Sequence, residues 1–184
     1  MTIRLDDLLR MDGRALRAIV DRAEPFDPAA LDGLQYQGVD LSLPRWVNRI
    51  LWKTFRKTFL RDPATGRLRG WNVRMEQRGI DGPQAPMRGA DGQPRTFAHY
   101  ELREAQGRRF PGGWAGAHYL HYGVQGNPFP ESAGRTPLVA VNAGSADLLL
   151  GWEVVRVGPL TLDLRDFWAL RVEGPIDHVP APRR

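Results

Sequence analysis

The chain contains no cysteine in 184 residues. That excludes a disulfide framework, a thiolate nucleophile and any cysteine-ligated zinc or iron–sulfur cluster. Lysine is nearly absent, with Lys53 and Lys57 standing against 24 arginines, a bias that a genome rich in G and C produces. Serine is scarce too: Ser42, Ser132 and Ser145 are all there is, and none lies in the G-x-S-x-G frame of a hydrolase nucleophile elbow. No apolar run approaches the ~18 residues of a membrane span. The opening Met1-Thr2-Ile3-Arg4-Leu5-Asp6-Asp7 carries two acids where a secretion signal needs an apolar stretch. These absences lead us to expect a soluble, cytoplasmic protein without a cofactor.

What is present suits one globular domain with an ordinary core: 42% of residues are hydrophobic and 26% charged. The net charge of +5 is unevenly placed. Between positions 45 and 77, nine basic residues meet two acidic ones, a net +7, so the remainder is net −2. With Trp46, Trp52, Phe55 and Phe59 interleaved, that segment suits stacking and phosphate contact with nucleic acid, or attraction to anionic lipid. It equally suits a solvated sheet face.

The first 32 residues read as a helical segment. Ala15, Leu16, Ile19 and Val20 form a narrow apolar stripe behind a capping Asp12, and Asp27-Pro28 starts one more turn. From position 33 the period changes to two. Alternating runs near 34, 52, 71, 97, 118, 138, 148 and 168 make eight strands, with the pair around Asp62-Pro63-Ala64-Thr65-Gly66 reading as a hairpin. Positions 45–51 have helical spacing, and residues 52–59 fit either a continuation of that helix or a strand; the turn that follows favours the strand. No helix-length segment separates the later strands, so parallel crossovers are excluded. The expected fold is mainly β: an eight-stranded antiparallel barrel over residues 33–174, with a loose, proline-rich tail over 175–184.

Several short motifs resemble a bacterial family named for its G-x-W-x-G signature. They are Leu31-Asp32-Gly33-Leu34-Gln35-Tyr36-Gln37-Gly38 after Phe26-Asp27-Pro28, then Trp52 with Lys57-Thr58-Phe59, then Tyr122-Gly123, Asn127-Pro128, Asp147-Leu148-Leu149-Leu150-Gly151 and Phe167-Trp168-Ala169-Leu170. Tyr36 stands where that family has tryptophan. The resemblance implies a lipocalin-like barrel and no particular chemistry, since the family has no established activity.

No catalytic constellation is evident. His118 and His121 fall on opposite strand faces, and a metal shared by His99 and His121 would lack a third ligand. Aromatic residues are the stronger lead. The sequence predicts a barrel that binds a small lipophilic or aromatic acid, with Trp71, Tyr100, Tyr122, Trp152 and Trp168 lining the cavity and Lys57, Asn72 or His99 supplying polar contacts. An alternative is an enzyme on the same barrel, with His99 or His121 as acid or base beside Glu101 or Glu153.

Overall fold

The structure is a computed structural model that describes residues 2–42, 53–124 and 126–180. Eight strands follow two short helices: β1 Leu34–Asp40, β2 Thr54–Arg61, β3 Leu68–Arg74, β4 Thr96–Glu104, β5 His118–His121, β6 Arg135–Ala140, β7 Leu148–Val157 and β8 Leu160–Pro175. Every strand pairs antiparallel with its neighbour in sequence, and β8 returns to pair with β1, closing the barrel. Residues 52–59 resolve as expected where described, since β2 is a strand from Thr54. The helical spacing over 45–51 lies outside the described residues, as does Trp52.

The two-residue period assigns the faces. Tyr36, Phe59, Leu68, Tyr100, Leu120, Leu138, Leu149 and Leu170 meet in one buried cluster drawn from all eight strands, which is the lumen. Leu148, Leu150, Trp152, Val154, Phe167 and Ala169 alternate with lumen residues and face outward, under the N-terminal helices. There α1 (Leu5–Leu8) and α2 (Gly13–Arg22) lay Leu5, Leu8, Leu16, Ile19 and Val20 on the sheet. The Asp12 carboxylate accepts from the Ala15 amide at 2.8 Å, the cap the sequence suggests. Trp114 Nε1 donates to the Val20 carbonyl at 2.9 Å and ties the helix end to the barrel wall.

Two details differ from the sequence reading. The last strand begins at Leu160, not near Phe167, and runs back along β7 as a long hairpin whose Leu160, Leu162 and Leu164 are exposed. The apolar side of that alternation faces water, so periodicity alone gives it no core to belong to. The start of the tail is also not loose. The Ile176 amide donates to the Gly33 carbonyl at 2.9 Å, and Asp177 pairs with Arg56 at 2.9 Å, while Glu173 binds the same guanidinium at 2.5 Å. The Arg56 side chain is only 4% exposed, and a charge so placed requires these carboxylates.

Candidate functional site

Among the described residues one end of the lumen is filled and the other is not. Tyr36, Phe59 and Tyr100 meet edge to face, with centroids 5.5 and 5.6 Å apart, and Phe26 and Leu31 join the same cluster. Toward the opposite end a cavity of about 280 Å³ remains, lined among others by Asp40, Phe55, Lys57, Asn72, Phe97, Ala98, Tyr122, Glu153, Asp166 and Trp168.

Strand register builds this site. Tyr36 pairs with Lys57 across β1–β2, and Lys57 with Asn72 across β2–β3, so three consecutive strands present one inward row. Phe55 lies two positions from Lys57 and Asp166 two from Trp168, on the same faces. Gly151 is opposite Trp168, and a Cβ there would sit 2.3 Å from the indole; the missing side chain lets the ring lie flat over β7. A register irregularity between Gly70 and Asn72, with Ala98 at φ 41° opposite it, turns both Phe97 and Ala98 to the cavity. Asn127 fastens the neighbouring loop, donating to the carbonyls of Tyr122 at 2.7 Å and His99 at 2.6 Å.

Polar residues on the wall outnumber apolar ones, and Lys57, Tyr122, Glu153 and Asp166 are strongly affected by burial. Lys57 Nζ donates to Asn72 Oδ1 at 2.7 Å and to the Tyr122 hydroxyl oxygen at 2.6 Å. Asn72 is itself held by donating to the Ala98 carbonyl at 3.0 Å. Rings of Trp168, Tyr100, Tyr122 and Phe55 surround the nitrogen at 4.6 to 5.4 Å. Among the described residues no carboxylate forms an ion pair with it. Burial therefore lowers its pKa to about 7, against the partial opposing pull of Glu153. Burial raises that of Glu153, whose Oε2 accepts from Thr136 at 3.1 Å and from Trp168 Nε1 at 3.2 Å. Asp166 is pushed up to about 7 by burial and by the charges of Asp40 and Glu153. Burial thus pushes the amine of Lys57 and the carboxyls of Glu153 and Asp166 toward their uncharged forms.

Of the residues expected to form the site, Lys57, Asn72, Tyr122 and Trp168 line the cavity. Tyr100 lies beside it, its hydroxyl donating to the Thr58 carbonyl at 2.7 Å. Trp71, His99 and Trp152 are elsewhere. Trp71 is packed on the outer face with Val73, Met75 and Ile176. His99 follows the inward Ala98 on β4 and stands near Trp71, with ring centroids 6.4 Å apart. Trp152 is buried under Arg17, whose guanidinium lies 3.9 Å above the ring. Each is one residue out of phase with a lumen position. The sequence reading did not include Asp40, Phe97, Ala98 and Asp166 and used Glu153 only in the enzyme alternative; counting in twos from Trp168 and Tyr36 reaches Asp166 and Asp40.

The other expectations fare unevenly. His121 also faces outward, beside Tyr119 and opposite Glu101, and its pKa falls to about 4 through burial and the charges of Arg135 and Arg103. Neither His99 nor His121 meets Glu153; His121 does stand across the strand pair from Glu101, whose carboxylate is bound by Arg103 at 2.6 Å. Much of the basic 45–77 segment is internally engaged: Arg56 with Glu173 and Asp177, Arg61 with Asp32, Arg69 with Asp62, Lys57 inside the lumen. Trp46 lies outside the described residues. Among the described residues no group of three or more acids and histidines is placed to hold a metal, and no helix is long and apolar enough to cross a membrane. No protein-family model, curated protein or solved structure matches the chain.

Proposed function

We propose that the protein is a lipocalin-like container that binds one small aromatic or otherwise apolar molecule in the open end of its lumen. The observation that carries this reading is the uneven filling of the barrel: about 280 Å³ bounded by Phe55, Phe97 and Trp168, with one polar cluster, Lys57–Asn72–Tyr122, at its wall. That volume is near the lower limit of about 300 Å³ for small-molecule sites and suits a ligand of one or two rings. The head group is better neutral than acidic. Asp40, Glu131, Glu153 and Asp166 all face the cavity against a single lysine whose own charge is disfavoured by burial, so an anionic head group would meet one weakened cation and four acids. A carbonyl or hydroxyl meets the cluster without that opposition.

Benzyl alcohol, benzaldehyde and benzoate test the reading as one series. Trp168 is the tryptophan on the lumen wall among the described residues, so a bound ring quenches part of the emission and the change vanishes in Trp168→Phe. The neutral compounds raise the unfolding temperature, and Ala98→Leu, which occupies the cavity, removes that rise. Absence of any response to all three compounds refutes the container. A response to benzoate alone refutes the neutral head group.

A further inference from the structure

We propose that Lys57 captures carbonyl compounds: its Nζ forms an imine with an aldehyde or ketone carried by the small molecule seated in the lumen. This deepens the container reading and rests on it. Three features place the reaction here. First, two of the four tetrahedral positions of Nζ are held by Asn72 Oδ1 at 2.7 Å and the Tyr122 hydroxyl at 2.6 Å, and a third is its own carbon. The fourth carries a proton in the ammonium form and the lone pair in the neutral amine, and it has no further hydrogen-bond partner among the described residues. Second, the nitrogen lines a cavity walled by Phe55, Phe97 and Trp168, so an aryl carbonyl seated against those rings brings its carbon to the amine. Third, a carboxyl group shares the cavity. Glu153 is steadied through one oxygen by Thr136 and Trp168, while its other oxygen takes no hydrogen bond from the described residues.

The step balances without an outside oxidant or reductant. The Nζ lone pair attacks the carbonyl carbon, the C=O π pair moves to oxygen, and one of the two Nζ protons passes to that oxygen to give a neutral carbinolamine. Glu153 as the neutral acid protonates the departing hydroxyl, which leaves as water. The remaining Nζ proton returns to the Glu153 carboxylate as C=N forms. The net change is amine plus carbonyl giving imine plus water. Burial favours both reactive forms, the neutral amine and the neutral acid.

The composition makes the test unusually clear, because Lys53 is the only other lysine. The full chain is incubated with benzaldehyde and sodium cyanoborohydride, and adducts are located by intact-mass and peptide mass spectrometry. Peptide mapping sets aside the adduct formed at the α-amino group, whose pKa of about 8 also leaves it reactive at pH 7; between the two lysines the adduct, of the mass of the aldehyde less one oxygen atom, is expected on Lys57. Lys53, whose ammonium donates to the Asp40 carbonyl, serves as the internal control. At pH 7 an ordinary lysine is about 1 part in 10³ neutral, so Lys57 should react at least tenfold faster than Lys53. Its rate should reach half its maximum near pH 7, where an exposed lysine still rises toward pH 10. Glu153→Gln should slow labelling of Lys57 at least tenfold while labelling of Lys53 in the same chain is unchanged. Equal labelling of the two lysines, or none at Lys57 while benzyl alcohol still quenches Trp168, overturns the imine and leaves the container standing. Silence in both assays removes both readings.

Discussion

A lysine nitrogen enclosed by four aromatic rings, with only neutral hydrogen-bond partners, is poorly placed to hold its proton. The Lys57 pKa falls from 10.5 to about 7 on folding. Between those values the unfolded chain binds a proton that the folded chain lacks, so this residue's contribution to stability rises with pH across the window. Below pH 7 both states are charged and the full burial penalty is felt. Lys57→Met removes the ionisation and keeps most of the volume. Its stability relative to wild type should therefore be most favourable near pH 6 and decline steadily toward pH 10 in urea unfolding; a difference flat with pH contradicts the assignment. Asp166 runs in the opposite sense. Its carboxyl is raised from 3.8 to about 7, so the folded chain keeps a proton that the unfolded chain has lost, and stability from this group falls as pH climbs through that interval. Wild type should lose ground against Asp166→Asn across the same interval and hold level above it. Neither shift is legible from residue identity. A lysine at position 57 reads equally as a solvated face, and only the register that sets Tyr36, Lys57 and Asn72 in one row makes it interior.

Among the elements, those with strong local chemistry were readable in advance. Asp12 before an i, i+4 stripe and Asp27 before proline specify helical starts without tertiary help, and both carboxylates accept from backbone amides two or three residues on. Asp12→Ala should cost about 1 kcal/mol in chemical denaturation, with the loss visible as earlier exchange of the α2 amides. Strand existence was equally legible, because the two-residue alternation and the Asp62–Gly66 turn are local signals. Strand face was not. In β7 the run Leu148-Leu149-Leu150 is apolar on both sides, since one face meets the lumen and the other the helices; alternation vanishes there, and the pattern cannot show that Trp152 faces out while its neighbours Gly151 and Glu153 face in. The end of β8 has its own long-range anchor. Glu173 binds the buried Arg56 guanidinium, a contact across 117 positions of sequence that no local pattern announces. Glu173→Gln should lower stability by about 1–3 kcal/mol, the cost of weakening a charged hydrogen bond to a buried partner. An unchanged denaturation midpoint would mean that Asp177 alone suffices.

At the scale of the whole molecule, closure determines what the parts can do. With residues 168–175 of β8 returned to β1 the barrel itself has no free edge, and the strands cannot slide to accommodate a new side chain without breaking a complete ring of pairing. Lumen volume is then set by the inward residues alone. Tyr36, Phe59 and Tyr100 fill one end. At the other end, small or polar residues at Ala98, Asn72 and Asp166 leave space that the same backbone could have packed. Such a void sacrifices dispersion contacts and shelters ionisable groups that lose solvation, so it stands against stability on two counts. Filling it should reveal that opposition. Ala98→Leu adds apolar volume where the wall is hollow, and should raise the thermal midpoint by a few degrees, corresponding to about 1 kcal/mol for a domain of this size. The same variant should lose the stabilisation by benzyl alcohol and the labelling of Lys57 by benzaldehyde together, since one space serves all three. A variant that gains stability yet still binds and labels would place the ligand outside this cavity. One that loses stability and still binds would show that the wall yields to new volume, against the rigidity that closure imposes.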